Sequence, residues 1–226
     1  MNKLKIAVPD GSMEKRILDL FESAGIAIKI ENERQKIGTV DNPMIESVTF
    51  MRPQEIPIYL EKGYFDMAIV GEDWLANWQS SAKILTRLPV ARKTLQPVRV
   101  VLVAEESSDC TSVETLKKNA KIATEYVELA EAIVAERGRK DIEIIRSYGG
   151  TERKVKFGAD AVIDITETGE SLVANKLKIV EELMQSYTVI VLRKDLCDNT
   201  EKRMLAIKIA SLLENAFWSD ASDQAV

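Results

Sequence analysis

Short runs of valine and isoleucine recur along this chain, separated by segments whose apolar side chains fall at steps of three and four. This alternation constrains the fold more than any single motif does. Strands show alternate or continuous apolar positions and helices show a stripe, so the interleaving reads as an α/β fold built on largely parallel sheets. Strands are expected near 4–8, 26–30, 47–51, 67–70, 98–104, 121–124, 142–146, 160–165 and 187–193. Helices are expected around Ile17, Leu18 and Phe21, around Tyr126, Leu129, Ala130, Ile133 and Val134, and around Leu205, Ile209, Leu212 and Leu213. The apolar faces of these helices read as core.

Two long apolar strands, Val98 to Val103 and Tyr187 to Leu192, flank a self-contained middle rich in βαβ pattern. A chain that leaves one lobe, builds a second and returns through paired crossover strands has this layout, with a ligand cleft between the lobes. The expected lobes are 1–96 with 188–226, and 97–187. At 226 residues with 46% hydrophobic positions, the chain is long enough for each lobe to bury a core. The polar tail from Ser219 to Val226 is expected to fray.

Charge and residue usage exclude several functions. With 31 Lys and Arg against 36 Asp and Glu, the net charge of −5 argues against a nucleic-acid binder, whose footprint is basic. Histidine is absent, which removes imidazole bases and histidine metal ligands. Cys110 and Cys197 are too few and too far apart for a disulfide framework or a zinc cluster and are expected as reduced thiols. No apolar stretch is long enough for a signal peptide or a membrane span, so no membrane association is expected and a cytoplasmic location is.

The strongest candidate site lies at Asp160 to Leu172, where an apolar strand carries Asp164 and leads into Glu167-Thr168-Gly169-Glu170-Ser171. A helix from Val173 to Leu183 is expected to follow. Turn amides at a helix start, with the Thr168 and Ser171 hydroxyls, suit a phosphate. Asp164 and Glu167 would repel that phosphate unless they address ribose hydroxyls or a divalent cation. The other reading is an ordinary helix start with a threonine cap and acidic first-turn residues.

A second block runs from Arg52 to Trp74: Arg52-Pro53-Gln54-Glu55-Ile56-Pro57, a glycine stop at Gly63, Asp66, a buried strand, and Gly71-Glu72-Asp73-Trp74. Arg52 before a helix could grip a phosphate, although a lone arginine is more often solvated or salt-bridged. Asp66 and Asp73 read equally as caps, and Trp74 reads better as core than as a base-stacking platform. A third block, Tyr148-Gly149-Gly150-Thr151-Glu152, precedes a basic run, and Pro9-Asp10-Gly11-Ser12 sits at a strand-to-helix turn where ligands gather in open sheets.

In this order along nearly the whole chain, these stretches, with Ile122-Ala123-Thr124-Glu125 and Asp164 to Leu177, resemble the ATP phosphoribosyltransferase family, which opens histidine biosynthesis. The resemblance implies a two-lobed α/β fold like the type II periplasmic binding proteins. It also implies magnesium-dependent (Mg2+) attack of adenine N1 of ATP on the anomeric carbon of phosphoribosyl pyrophosphate. By that likeness Thr168, Gly169, Glu170, Ser171 and Leu172 would hold the 5′-phosphate, with Asp164 and Glu167 near the ribose hydroxyls or the metal. Arg34 and Arg52 would face the triphosphate or pyrophosphate; Asp66, Gly71 and Asp73 would line the nucleotide side; Glu152 would lie near the reacting sugar. Arg52, Glu152 and Asp164 form the implied catalytic set, and the metal rides mainly on substrate phosphates. Such a reaction suits a chain without histidine, because N1 already carries a lone pair.

The chain departs from the family in three places. Asp10 stands where many members have lysine, with Arg92, Lys93 and Arg99 as possible compensation. The segment after Glu152 is basic and one residue shorter than the commonest pattern, and the sequence stops where long members continue into a regulatory domain, so it resembles a short form. Short forms are implied to pair with a histidyl-tRNA-synthetase-like regulatory subunit, whereas details around Gly150-Thr151-Glu152 and Ser171-Leu172 are closer to long forms, so a bare homodimer stays open. Two alternatives also stay open: a non-catalytic bilobal ligand sensor, and a phosphoribosyltransferase acting on another base.

Overall fold

A computed structural model describes residues 3–30, 32, 34–88 and 96–223. In chain order the elements are β1 (Leu4–Pro9), α1 (Glu14–Ser23), β2 (Ile28–Ile30), β3 (Ile37–Val40), β4 (Ile45–Met51), α2 (Ile56–Glu61), β5 (Met67–Gly71), α3 (Glu72–Trp78), β6 (Lys83–Leu88), β7 (Val98–Glu105), β8 (Lys121–Thr124), α4 (Val127–Glu136), β9 (Glu143–Arg146), β10 (Ala161–Thr166), α5 (Glu170–Ala174), β11 (Leu177–Ser186), β12 (Thr188–Leu192) and α6 (Thr200–Asp223). The chain divides into two compact units, Met1–Leu75 with Gln79–Arg92 and Tyr187–Val226, and Ala76–Trp78 with Lys93–Ser186.

The first unit is built on a seven-stranded sheet in the order β2-β3-β4-β1-β5-β12-β6. Its centre is parallel, β1 running with β4 and β5, while the outer pairings are antiparallel. Both faces are covered, which explains the continuous apolar run Ile6-Ala7-Val8 within β1. Ile6 and Val8 join Ile17, Phe21, Ile209 and Leu213 on one face, and Ala7 joins Ile56, Leu60 and Val70 on the other. Trp74 packs against this second cluster as a core residue.

The second unit carries a five-stranded sheet in the order β11-β7-β10-β8-β9. Here β8, β9 and β10 run parallel, and β7 and β11 complete the sheet antiparallel. Val100, Leu102, Ile122, Ala130 and Ile163 form one core cluster, and Val101, Val103, Val162, Leu172 and Leu177 form the other.

Two sequence expectations are corrected. The sheets are mixed rather than largely parallel, because β3, β6 and β11, which have no clean period of their own, join as antiparallel strands. In the second unit β7 bonds to β10 and β11, and in the first β12 bonds to β5 and β6. The helix expected over Val173 to Leu183 is one short turn, α5, closed by Lys176 in the left-handed region (φ +57) and followed by β11. Its strand pattern is hidden because β11 shifts register twice against β7, and each shift breaks the two-residue alternation. Ser219 to Asp223 continue α6, and Gln224 to Val226 lie outside the described residues. Both cysteines are free, Cys110 buried and Cys197 half-buried, and no described helix is long and apolar enough to cross a membrane.

Candidate functional site

Because β1 runs parallel to β4 and β5, the carboxyl ends of all three lie along one edge of the first sheet. Ligands of open α/β sheets gather at such edges, where chain leaves the strands and exposes backbone N–H groups. Asp10 continues the pairing, its N–H donating to Met51 O at 2.9 Å. Arg52 follows in an extended conformation and opens the turn Pro53–Glu55. The Arg52 Nη1 lies 3.5 Å from Asp10 Oδ1, with the arginine side chain 64% exposed and the aspartate 18%. Gly11, at φ +68, lets the backbone turn close to this guanidinium, and a Cβ there would sit 3.5 Å from the same nitrogen.

Arg34 is exposed in the turn before β3, its N–H bonded to Asn32 Oδ1 at 2.9 Å. Lys36 reaches the same edge because its carbonyl accepts the Phe50 N–H at 2.8 Å. Its Nζ is 2.6 Å from Glu14 Oε1. Nothing in the sequence singles out Lys36, since only the β3–β4 register brings it beside β4. Gly71 ends β5 opposite Thr188, and Asp73 lies in the first turn of α3, 4% exposed. Glu72 is committed to the fold, accepting from Arg87 Nε at 2.9 Å and from the Tyr187 N–H at 3.2 Å. Arg92 and Lys93 lie outside the described residues, while Arg99 pairs with Glu182 at 3.7 Å in the second unit.

Asp66 belongs elsewhere. It precedes Met67 at the amino end of β5, where its N–H donates to Lys5 O. Gly71 lies five residues further along, about 16 Å at the usual strand rise. The Asp66 carboxylate accepts from the Lys5 N–H at 3.0 Å and from Lys202 Nζ at 2.7 Å. The buried ion pair and the strand direction place Asp66, which the sequence put beside the nucleotide, at the opposite edge of the sheet from Gly71 and Asp73.

In the second unit the carboxyl ends of β8, β9 and β10 likewise share an edge. From β10 come Asp164 and Glu167, both half-buried, then Thr168, Glu170 and Ser171, all exposed. Gly169 adopts φ +79 and its N–H donates to Thr166 Oγ1 at 2.9 Å, which draws the loop into a tight turn. The Leu172 side chain is 4% exposed within the core, so only its backbone faces the loop. Asp164 Oδ1 accepts the Ile165 N–H at 2.8 Å.

From β9 comes the segment Ser147 to Glu152, in which the buried Thr151 hydroxyl donates to Ser147 Oγ at 3.0 Å. The turn Thr151–Phe157 opens at Gly150 and closes at Gly158. The Glu152 carboxylate is 24% exposed and 3.9 Å from Arg153 Nε. From the start of α4, after β8, Glu128 accepts from Asn77 Nδ2 at 2.8 Å and from Arg146 Nη2 at 3.0 Å. Burial pushes the Glu128 carboxyl up, but its backbone hydrogen bond and the Asn77 and Arg146 contacts outweigh this and hold it below the ordinary value. Glu128 is thereby bound up in structure, and the carboxylates of this edge that the sequence proposed are Glu152, Asp164, Glu167 and Glu170.

Residues 52–215 match the family model described as HisG: ATP phosphoribosyltransferase. The ATP phosphoribosyltransferase of Thermodesulfovibrio yellowstonii is 35% identical over 217 residues, covering 96% of this chain and 73% of that protein. That of Chlorobaculum parvum is 34% identical over 215 residues, covering 95% and 72%. Among solved structures, the ATP phosphoribosyl transferase (HisG:HisZ) complex from Thermotoga maritima aligns with TM-score 0.81 at 23% identity, covering 96% of this chain and 99% of that one. The aliphatic sulphonate binding protein SsuA of Escherichia coli aligns with TM-score 0.57 at 14% identity, covering 100% and 76%, and shares the fold alone.

Proposed function

Since the chain belongs to the ATP phosphoribosyltransferase family, we propose that it carries out that family's reaction and that the strand-end edge of each sheet binds a part of the substrates. The activity is that of a phosphoribosyltransferase, a glycosyltransferase catalysing the first step of histidine biosynthesis. Adenine N1 of ATP bonds to the anomeric carbon of phosphoribosyl pyrophosphate, and the bond from that carbon to the pyrophosphate oxygen breaks, its electron pair leaving with pyrophosphate.

The observation that carries the assignment of residues is the loop Thr166 to Leu172. Its tight turn leaves the Thr168 and Ser171 hydroxyls exposed at the carboxyl end of β10. In this reading these hydroxyls and the loop amides of Thr168, Gly169, Glu170, Ser171 and Leu172 hold the 5′-phosphate. The following helix α5 has only five residues, so local donors rather than a helix dipole supply the attraction. Asp164 and Glu167 orient the ribose hydroxyls, and Glu152 lies near the sugar as positive charge develops at the anomeric carbon. Arg52, with Arg34, binds the triphosphate or the departing pyrophosphate, an exposed guanidinium being able to meet two phosphate oxygens at once. Gly71 and Asp73 border the nucleotide. The chemistry is chiefly orientation and charge stabilisation.

Among the described residues no group of three or more carboxylates or thiols is arranged to hold a metal ion alone. A magnesium ion is compatible with the carboxylates of this edge, since Mg2+ is commonly bound by one or two carboxylates with substrate phosphates and water. It would ride mainly on the substrate phosphates, with an oxygen of Asp164 or Glu167 completing its shell, and it would supply neutralisation of phosphate charge. We further propose a cytoplasmic enzyme that forms a homodimer and works with a regulatory subunit, as the solved complex of a related chain with HisZ suggests.

The test is ultraviolet absorbance of the purified chain with ATP, phosphoribosyl pyrophosphate and magnesium, with pyrophosphatase added, alone and then with a candidate regulatory subunit. A magnesium-dependent rise from the chain alone marks an autonomous transferase, and a rise only with the partner marks a catalytic subunit. No rise in either mixture would overturn the assignment.

A further inference from the structure

We propose that Asp10 is an internal competitor for Arg52: its carboxylate holds the guanidinium in the substrate-free enzyme and opposes any phosphate that takes its place, so that pyrophosphate is released readily and captured weakly. This rests on the reading of Arg52 as a polyphosphate-binding residue.

The two side chains are not equivalent. Asp10 is fixed by its N–H bond to Met51 O, and its side chain is only 18% exposed, against 64% for Arg52. The carboxylate is thus a stationary charge and the guanidinium the exposed member of the pair. Contact is made through one oxygen and one nitrogen at 3.5 Å, longer than the usual range for a charge-assisted hydrogen bond. An arginine has five donors in a planar fork, so a pair of this geometry leaves Asp10 a weak holder that phosphate oxygens can displace by bidentate contact.

Displacement does not remove Asp10. Its backbone is tied to β4, so its charge remains beside the guanidinium and repels the phosphate bound there. Gly11 contributes by placing no side chain beside the guanidinium, since a Cβ there would sit 3.5 Å from Nη1. The same edge carries a second cation already met by a carboxylate, Lys36 with Glu14 at 2.6 Å, so Asp10 is not balanced by surplus positive charge from that residue. Both acids reduce the pull of this edge on polyanions.

The probe is inorganic pyrophosphate, titrated calorimetrically into the full chain and used as a product inhibitor. For Asp10→Asn we expect pyrophosphate to bind about two- to fivefold more tightly, the effect of losing one exposed ion pair. The KM for phosphoribosyl pyrophosphate should fall by a similar factor with no gain in kcat. Asp10→Glu, which keeps the charge, should stay near wild type, and this variant serves also if Asp10→Asn folds poorly. In an Arg52→Ala background the Asp10→Asn gain should largely vanish, because the two residues act on the same phosphate through one contact. Unchanged or weaker pyrophosphate binding in Asp10→Asn would overturn the competition, as would an equal gain with and without Arg52. If Arg52→Ala alone leaves pyrophosphate affinity unaltered, the reading of Arg52 itself falls, and the proposal with it.

Discussion

Lys202 Nζ donates to Asp66 Oδ2 at 2.7 Å, joining the first turns of α6 to the amino end of β5. The ammonium also donates to Lys3 O at 3.1 Å, and the carboxylate also accepts the Lys5 N–H at 3.0 Å. With the side chains 17% and 10% exposed, this is a nearly buried pair whose remaining donors and acceptors are met by backbone. A helix distant in sequence is thereby fixed to the first strands of the unit.

Removing one partner leaves the other charge buried and unmatched. Asp66→Ala is expected to cost about 3–5 kcal/mol of unfolding free energy, measured by urea denaturation, while the KM for ATP in the folded fraction stays near wild type. A variant as stable as wild type but with a raised KM for ATP would return Asp66 to the nucleotide site.

Arg139 plays a comparable part in the second unit. Its guanidinium donates to the carbonyls of Val113, Glu114, Leu116 and Lys117 and forks onto Asp141 at 2.8 and 3.0 Å. A lysine has neither the fork nor enough donors to replace these contacts. Arg139→Lys should therefore destabilise the protein by about 2 kcal/mol, seen as a lower Tm with unchanged kcat. An unaltered Tm would mean that the 113–117 segment is held by its apolar contacts alone.

How much of this was legible in sequence differs between residues. The strand Ala161–Thr166 and its loop could be read directly, because an apolar run followed by Thr, Gly and Ser is a local signal. Asp66 could not, because its partner Lys202 is distant in the chain and no spacing rule connects them. Lys36 was missed for the same reason, since a strand register and not a motif brings it to the edge. In β11 the two register shifts place Val180 and Leu183 beside the core at intervals that resemble a helix, and pairing with β7 overrides that local appearance. The sequence thus discloses sites made by neighbours in the chain and conceals those made by pairing.

Acid should weaken the protein through carboxylates that arginines hold ionised. The hydrogen bond from Arg137 holds Glu114 down to about 2 from the ordinary 4.5, and that from Arg139 holds Asp141 well below its ordinary 3.8. Because the folded values lie below the unfolded ones, this stability is fully present above about pH 5, and falls as pH drops through 4.5 and 3.8 toward the folded values. Arg137→Met should flatten the part of the stability profile between about pH 5 and 2. A profile with the wild-type slope would show that Glu114 draws no stability from Arg137.

The phosphate loop gives the sharpest functional test, because its hydroxyls can be removed without touching the core. Thr168 and Ser171 are exposed, whereas Leu172 between the loop and the sheet is buried, so truncating either hydroxyl leaves packing intact. If each hydroxyl donates to the 5′-phosphate, its loss forfeits a charge-assisted hydrogen bond of about 1.5–3 kcal/mol. Thr168→Val keeps the shape and β-branching while deleting the donor, so kcat/KM for phosphoribosyl pyrophosphate should fall about 10- to 150-fold with the KM for ATP little changed. Ser171→Ala should act in the same direction. A loss confined to ATP would place the triphosphate on this loop instead, and wild-type kinetics in both variants would remove the loop from the site.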